Sequence, residues 1–261
     1  MSQLKRRVSL ITFLSVFFMP AAFLVAQVPE QAPSEQASSE QAHSKQVPSK
    51  QQPYEFRESS PGGTGKFYMG REIAGIMGAA GAAWLERDSR QQEENSSRTI
   101  SKLPLSPESV VADVGAGTGY YTFRIAEKVP RGKVFAVDIQ DEFIRRLRES
   151  KKNRGAENVE VIKGSEKSPN LPPGSIDLII MVDVYHELLY PQEMLQAMRK
   201  ALKPSGKLLL IEYKAEDPEV AIKPLHKMTV AQASKELKAN GFKLIKQDDS
   251  LPIQHFLLFE K

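Results

Sequence analysis

A short apolar strand followed by alternating glycines is the feature that most constrains the fold of this chain. Ser109 to Val114 form the apolar run, and Gly115, Gly117 and Gly119 follow it at alternate positions, just before an amphipathic helix. Glycine permits a sharp turn and lets a ligand approach the backbone closely. The start of a helix offers unpaired N–H groups to an anion. The pattern therefore indicates a strand–turn–helix nucleotide site.

The spacing of these glycines distinguishes between nucleotide-binding folds. A dinucleotide fingerprint requires a third glycine where this chain has Tyr120, and the chain lacks the Gly-Lys-Ser/Thr of a P-loop. The pattern D-x-G-x-G-x-G instead resembles motif I of the class I S-adenosylmethionine-dependent methyltransferases. The resemblance covers Thr99 to Lys261 and implies S-adenosylmethionine as the cofactor. The motif residues that it assigns to the cofactor are Asp113, Gly115, Gly117 and Gly119.

Downstream of this motif, short apolar runs alternate with amphipathic helical stretches. Such alternation is typical of a parallel sheet that is covered on both faces. The runs predict six further strands, at Lys133–Asp138, Asn158–Lys163, Ser175–Asp183, Lys207–Tyr213, Phe242–Gln247 and His255–Glu260. No helical stretch separates the last two, which should pair as a hairpin. The resemblance implies an α/β fold, a seven-stranded Rossmann-like methyltransferase sheet with helices on both faces and an antiparallel last strand.

The end of the second predicted strand supplies a candidate partner for the ribose of the cofactor. A carboxylate at the position of Asp138 can accept hydrogen bonds from two ribose hydroxyls. The alternative is a helix N-cap, a role that we assign to Asp141 instead. The resemblance places Ile139 against the adenine. Many family members have an aspartate after the third strand, where this chain has Gly-Ser-Glu, so the adenine contact falls to Ser165, to Glu166 or to neither.

The N-terminal 60 residues differ in composition from the rest of the chain. Three basic residues precede a mostly apolar stretch at residues 8–26, which predicts that residues 1–26 are a cleaved signal peptide or a retained membrane anchor. Either would place the domain outside the cytoplasm, exported or tethered to the membrane. The remaining alternative is a cytoplasmic protein with an apolar tail. Residues 27–60 contain polar pentapeptide near-repeats, which predict a disordered linker.

Residues 61–261 are sufficient for one methyltransferase domain with a full core. Within it, residues 61–98 predict an N-terminal helical cap, because apolar residues recur there at helical spacing. Three glycines interrupt this pattern, namely Gly75, Gly78 and Gly81. Each costs about 1 kcal/mol against alanine in a helix. The cap therefore either packs closely on the sheet or moves as a lid over the substrate.

The composition of the chain and the absence of certain motifs exclude several classes of partner and of catalytic chemistry. The net charge is only +4 and no basic run is interleaved with aromatic residues, so we expect no nucleic-acid partner. The chain has no cysteine, which excludes disulfides, thiolate metal sites and a cysteine nucleophile. The fourth predicted strand lacks the Asn/Asp-Pro-Pro-Tyr/Phe motif of amino-methyltransferases. These absences favour a small-molecule acceptor, and no feature of the sequence predicts a protein partner.

The residues after the fourth predicted strand are where a catalytic base belongs, because reacting groups gather beyond the carboxyl ends of the strands. His186 and Glu187 stand there, and the stretch is similar to the His-Asp pair of plant-type small-molecule O-methyltransferases. An imidazole with a pKa of about 6.5 suits removal of a hydroxyl proton. We therefore predict His186 as the base beside Glu187, or else as a pocket wall or helix-cap contact. Asp183 can contact the methionine end of the cofactor or the acceptor.

A connection of about sixteen residues follows the fifth predicted strand, and long connections of this kind are usually functional. Its polar residues predict an acceptor-recognition loop in which lysines bind a carboxylate or phosphate. The residues are Glu212, Lys223, His226 and Lys227. The alternative is a solvated loop anchored by two prolines. We expect no metal site, although Asp183, Glu212 and His226 could form one as in the divalent-cation-dependent O-methyltransferases.

These features predict an enzyme that transfers a methyl group from S-adenosylmethionine to an unidentified small molecule, outside the cytoplasm or at the membrane. The alternative is a catalytically inactive methyltransferase-like fold that binds a ligand or a partner. Its motivation is that S-adenosylmethionine is made in the cytoplasm, from which export would remove the protein. The intact cofactor signature, Asp113 to Gly119 with Asp138, favours the enzyme.

Overall fold

The computed structural model describes residues 53–261. The predictions for residues 1–26, and for the linker as far as residue 52, lie outside the described residues. The described part begins with a small antiparallel sheet and continues as a seven-stranded sheet flanked by helices. Within residues 53–261, no helix combines the length and the apolar character needed to cross a bilayer.

The N-terminal sheet corrects the predicted helical cap. It consists of three antiparallel strands, β1 (Tyr54–Phe56), β2 (Gly63–Tyr68) and β3 (Arg71–Ala74). The helical prediction for residues 61–98 is therefore wrong over β2 and β3, and the linker predicted to residue 60 is wrong over β1. The cause is the β2–β3 turn, where Met69 and Gly70 have φ of 51° and 96°. Two successive positive φ angles are typical of a tight two-residue hairpin.

The later part of the predicted cap is helical but broken into short pieces. These are α1 (Ala82–Leu85), α2 (Arg90–Glu94) and α3 (Ser96–Ser101). Asn95 separates α2 from α3 with a left-handed backbone, and its side chain accepts a hydrogen bond from the Arg98 N–H at the start of α3. Asparagine tolerates this conformation better than most residues, so the chain can change direction here without a longer loop.

The main sheet confirms the predicted fold. Its strands are β4 (Val110–Val114), β5 (Lys133–Asp138), β6 (Val159–Lys163), β7 (Ile176–Val182), β8 (Leu202–Tyr213), β9 (Lys243–Asp248) and β10 (Gln254–Glu260). Their order is β6-β5-β4-β7-β8-β10-β9. The pairs among β4 to β8 are parallel, and β10 runs antiparallel to both of its neighbours. The last strand of the chain is thus antiparallel, as predicted.

Helices cover both faces of this sheet. They are α4 (Tyr120–Lys128), α5 (Asp141–Arg154), α6 (Pro191–Ala201) and α7 (Val230–Ala239). One buried cluster includes Leu195 of α6 and Leu237 of α7, and a second includes Ile125 of α4 and Leu147 of α5. Apolar contacts on both faces explain why the central strands read as unbroken apolar runs.

Arg71 fastens the N-terminal hairpin to the main sheet. Its Nε and Nη2 atoms donate to the two carboxylate oxygens of Glu236 in α7, at 2.8 and 3.0 Å. Its Nη1 atom donates to the backbone carbonyl of His186 at 3.0 Å. Glu236 is fully buried, and leaving a buried carboxylate unpaired would be strongly destabilising. The hairpin therefore holds the segment that carries His186 in place.

Candidate active site

A cavity of about 780 Å³ lies beyond the carboxyl ends of β4, β5 and β7. This is the edge at which open α/β sheets bind ligands, and the volume is typical of small-molecule sites. Its walls come from the glycine turn, from the loops after β5, β6 and β7, from the β8–α7 connection and from the N-terminal segment. Most of the wall is apolar, including Ile76, Met77, Leu85, Ile139, Phe143, Leu188, Met194 and Ile222.

Left-handed glycines shape the turn between β4 and α4. Gly115, Gly117 and Gly119 have φ of 78°, 55° and 89°, a region that residues with a Cβ rarely adopt. A Cβ on Gly115 would lie 2.4 Å from a methyl carbon of Val184. Around Gly117, in contrast, Leu85 Cδ1 is the single heavy atom that such a Cβ would meet within 4 Å in the described part of the chain. That contact is 2.9 Å and involves the end of a flexible side chain of the cavity wall, so a side chain on Gly117 would project into the cavity against Leu85.

Asp138, at the end of β5, is a buried carboxylate in the cavity wall. One carboxylate oxygen accepts a hydrogen bond from Gly117 N at 3.0 Å, and the other accepts one from Gln140 N at 2.9 Å. Burial raises the pKa of this carboxyl, whereas the backbone donors favour its ionised form. Each oxygen retains a further lone pair, so Asp138 can accept hydrogen bonds from a ligand. Ile139 lines the same wall.

Asp113 lies behind the glycine turn and is absent from the wall of this cavity. It is buried in β4 and accepts a hydrogen bond from Thr122 Oγ1 at 2.6 Å. Burial raises the pKa of its carboxyl to about 6. Because Thr122 belongs to the first turn of α4, this bond fixes the start of the helix against the strand. The structure thus places Asp113 where it braces the glycine turn from behind, and its contact with the cofactor stays a prediction.

The predicted adenine region is the loop after β6. Ser165 and Glu166 both line the cavity. Local hydrogen bonds close the loop, since Ser165 N donates to the Ser168 carbonyl at 2.8 Å and Ser168 N donates to Ser165 Oγ at 3.1 Å. Both side chains therefore stand at the wall, and the choice between them as the adenine contact stays a prediction.

Asp183 places a buried, unpaired oxygen at the cavity wall. Its backbone is left-handed, with φ of 55°, a conformation that non-glycine residues adopt rarely and that concentrates at functional sites. Oδ2 accepts a hydrogen bond from Gln254 Nε2 at 2.8 Å, whereas Oδ1 has no partner among residues 53–261. Burial and the nearby Glu94 and Glu212 raise the pKa of Asp183. A buried acceptor normally has a partner, so Oδ1 suits an ammonium group of a ligand.

Two arginines that the sequence analysis did not single out line the same cavity. Arg87 Nη2 and Arg90 Nε donate to the buried Glu94 at 2.7 and 2.8 Å, and the Tyr213 hydroxyl donates to it at 2.9 Å. Guanidinium groups suit a ligand carboxylate. Arg87 lies in the connection between α1 and α2 and Arg90 begins α2, so no helical spacing marks them in the sequence and only the fold brings both to the cavity.

The structure brings the predicted catalytic pair and the predicted recognition loop together. His186 and Glu187 lie in a 3-10 turn after β7, and His226 lies in another within the β8–α7 connection. His226 Nδ1 is 3.2 Å from His186 Nε2 and 3.3 Å from Glu187 Oε1. His186 Nε2 is 3.8 Å from Glu187 Oε1. All three residues line the cavity, and together they are named here the histidine cluster.

Glu212 lies in β8 and not in the predicted recognition loop. It is fully buried, and its oxygens lie 2.7 Å from Tyr185 N and 2.6 Å from His186 Nδ1. Burial disfavours the charged imidazole, but the Glu212 and Glu187 carboxylates outweigh burial and raise the pKa of His186 to about 10. His186 is thus already protonated near neutral pH. This electrostatic setting argues against the predicted role of His186 as a base acting on its own.

The β8–α7 connection contributes Lys223 and His226 to the cavity wall. Lys227 is directed elsewhere, because its Nζ donates to the backbone carbonyls of Val220 at 3.2 Å and Asp217 at 3.4 Å. These bonds fold the connection onto itself. Of the four predicted recognition residues, Lys223 and His226 therefore reach the cavity directly, while Glu212 and Lys227 do not.

The strand order of the main sheet, with Gly117 paired to Asp138 in front of it, defines a class I S-adenosylmethionine-dependent methyltransferase. Comparison with known proteins agrees: the family model described as "Methyltransferase domain" matches residues 105–255, and the chain belongs to this family. Among solved structures, an S-adenosylmethionine-dependent methyltransferase from Aquifex aeolicus is 25% identical, with a TM-score of 0.67. The match covers 70% of this chain and 98% of that one.

Curated relatives include ubiquinone/menaquinone biosynthesis C-methyltransferases. The protein from Ectopseudomonas mendocina is 28% identical over 117 residues, which cover 44% of this chain and 46% of the relative. The protein from Burkholderia mallei is 27% identical over 153 residues, which cover 58% and 60%. The chain therefore spans about half to three-fifths of the length of these relatives.

Proposed function

We propose that this methyltransferase acts on a small, mainly apolar molecule that presents an ionisable hydroxyl, or a ring carbon activated by one, to the histidine cluster. The observation that carries the proposal is the cavity itself, whose mostly apolar wall includes both Asp138 and the histidine cluster. Two sets of polar groups, from different loops, thus face one largely apolar site. This arrangement suits a cofactor held by Asp138 and an apolar acceptor whose one polar group meets the histidine cluster.

The residues around the glycine turn fit S-adenosylmethionine. Asp138 would accept hydrogen bonds from the ribose hydroxyls, and Ile139 with Ser165 would border the adenine. The unpaired Asp183 Oδ1 would accept from the ammonium group, and Arg90 would face the carboxylate. When bound, the cofactor supplies a methyl group on a positively charged sulfur, which makes that carbon electrophilic. The protein then has to align the acceptor and accept its proton.

The histidine cluster supplies the polar groups that we assign to the acceptor. His226 is its most accessible member, with a side chain 21% exposed against 2% for His186. During transfer, the O–H or C–H bond of the acceptor breaks and its electron pair bonds the methyl carbon. The bond between the methyl carbon and sulfur breaks and its electron pair stays on sulfur. The proton of the acceptor passes to the histidine cluster.

Two further features support an apolar, ring-containing acceptor. Ile76 and Trp84 line the cavity and are 51% and 44% exposed. Exposed large apolar side chains around a cavity indicate a surface that binds apolar molecules. In addition, the curated relatives carry the name of C-methyltransferases of ubiquinone/menaquinone biosynthesis. We therefore place quinols and related hydroxylated aromatic compounds first among the acceptors.

The test is methyl transfer from isotope-labelled S-adenosylmethionine to three matched groups of compounds: hydroxylated aromatics, aromatic amines and aromatic carboxylates. We expect label to appear in hydroxylated compounds, with a rate that falls when the ring hydroxyl is removed. Transfer to the amines or carboxylates in preference to the hydroxylated group would contradict the proposed acceptor class.

We also propose that the domain works outside the cytoplasm or at the membrane surface. The support is the basic and then apolar pattern of residues 1–26. A reporter enzyme that is active only outside the cytoplasm, fused after residue 53, should be active, and deletion of residues 1–26 should abolish that activity. A cytoplasmic reporter at the same position is the control. Equal activity of the external reporter with and without residues 1–26 would contradict export.

A further inference from the structure

We propose that the histidine cluster binds a divalent transition-metal ion through His186 Nε2, His226 Nδ1 and Glu187 Oε1. Within residues 53–261, these residues form a group whose ligand atoms all lie within 4.8 Å of one another. The group differs from the set that the sequence left open, because it contains His186 and Glu187 in place of Asp183 and Glu212. Metal binding itself does not depend on methyl transfer.

The distances within the cluster fit a metal ion at its centre. Metal–ligand bonds of about 2.0–2.2 Å in tetrahedral or octahedral geometry separate neighbouring ligand atoms by roughly 3.0–3.5 Å. The three separations here are 3.2, 3.3 and 3.8 Å. The ligand atoms need therefore move only a few tenths of an ångström, within the freedom of side chains in a cavity wall.

The surrounding hydrogen bonds already orient two of the ligands. Glu212 Oε2 lies 2.6 Å from His186 Nδ1 and holds a proton on that nitrogen, so a metal ion that binds at Nε2 has to displace only the Nε2 proton of the charged ring. Carboxylate–histidine–metal arrangements of this kind recur in metal sites. Glu187 Oε1 in turn accepts a hydrogen bond from Met77 N at 3.1 Å. Glu212 and the Met77 N–H therefore hold the His186 ring and the Glu187 carboxylate in position even before a metal ion binds.

The ligand types select the class of ion. Two imidazoles and one carboxylate match Zn²⁺, Fe²⁺ or Co²⁺, whereas Mg²⁺ and Ca²⁺ prefer all-oxygen sites. Three protein ligands also leave at least one position open, which is the arrangement of catalytic and not of structural zinc sites. Because all three residues line the cavity, the open position faces the space that we assign to the acceptor.

The role of the ion would be to polarise the acceptor. A Lewis acid beside a hydroxyl or carbonyl oxygen lowers the cost of removing the acceptor's proton. This role rests on the proposed function, whereas the binding of metal can be measured without any acceptor or cofactor.

The experiment measures metal binding to the full chain after treatment with a chelator. Zinc chloride and cobalt chloride are titrated separately, and bound Co²⁺ is followed by its visible absorption. We expect one ion per chain and loss of the cobalt absorption when Zn²⁺ is added. Replacement of the second partner, Glu212→Gln, should weaken affinity by about 10–100-fold, and His226→Ala and Glu187→Gln should weaken it further.

His255 and Glu216 provide a matched control pair. His255 Nε2 lies 2.8 Å from Glu216 Oε2, and neither residue lines the cavity. His255→Ala and Glu216→Gln should bind metal as the parent does, and circular dichroism checks that each variant folds. His226 is partly exposed, so His226→Ala remains informative even where a buried variant fails to fold. Lack of stoichiometric binding by the parent, or unchanged binding by His226→Ala, would overturn the proposal.

The two proposals can fail separately. A parent protein that binds Zn²⁺ at the cluster but neither S-adenosylmethionine nor its demethylated product would keep the metal site and refute the proposed function. A protein that methylates an acceptor at the same rate after complete metal removal would refute the role of the ion. Full activity that returns only with added Zn²⁺, Fe²⁺ or Co²⁺ would support both.

Discussion

Replacement of Gly117 by valine is expected to weaken the binding of S-adenosylmethionine by about 5- to 150-fold, since overpacking of a filled site costs about 1–3 kcal/mol. Gly117 has a left-handed backbone, lines the cavity opposite Leu85 and donates its N–H to Asp138. A branched side chain there would occupy the space of the ligand and disturb the hydrogen bond to Asp138. Isothermal titration calorimetry of the variant measures the loss.

Gly174→Val is the matched control for this variant. Gly174 has φ of 60°, close to the 55° of Gly117, but a Cβ there would meet no atom within 4 Å, and the residue lies outside the cavity wall. Both variants therefore carry a similar backbone strain, and only one of them fills the cavity. Equal loss of binding in both would show that strain, and not occupation of the site, is responsible.

The His226→Ala variant is expected to lower kcat by about 10²–10⁴-fold, the usual cost of removing a group that assists proton transfer. Affinity for S-adenosylmethionine should stay close to that of the parent, because the proposed function assigns His226 to the acceptor and not to the cofactor. Steady-state kinetics with the best hydroxylated acceptor measures the first effect, and calorimetry measures the second.

His255→Ala is the control here as well, since this histidine pairs with Glu216 away from the cavity. It should retain the kcat of the parent. If His226→Ala keeps most of its activity, the acceptor proton does not leave at the histidine cluster. If its affinity for the cofactor falls as far as kcat does, His226 contributes to the cofactor site.

The main sheet could be predicted from the sequence because its strands are buried on both faces. Such strands appear as unbroken apolar runs between helical stretches, and Asp138 is identified by its place at the end of one of them. The N-terminal hairpin could not be predicted in the same way. Its turn depends on a left-handed backbone at Met69. Methionine adopts this conformation rarely, so its presence in the sequence does not indicate a turn.

The composition of the histidine cluster was only partly predictable. The sequence places His186 and His226 at the same edge of the sheet, but the two are 40 residues apart and only the fold brings their rings within 3.2 Å. Glu212 appears in the sequence as the start of a polar connection. Its burial against His186, which raises the pKa of the histidine and changes its expected role, depends on the packing of β8 beneath the turn after β7.

The most direct test of the central claim is calorimetric titration of the full chain with S-adenosylmethionine and, separately, with its demethylated product. We expect both compounds to bind at one site. We also expect Asp138→Ala to weaken binding by about 1.5–3 kcal/mol, the range for hydrogen bonds to a charged group, or roughly 10–150-fold. No binding of either compound at millimolar concentration, or equal affinity of the Asp138→Ala variant and the parent, would show that this cavity is not a site for S-adenosylmethionine.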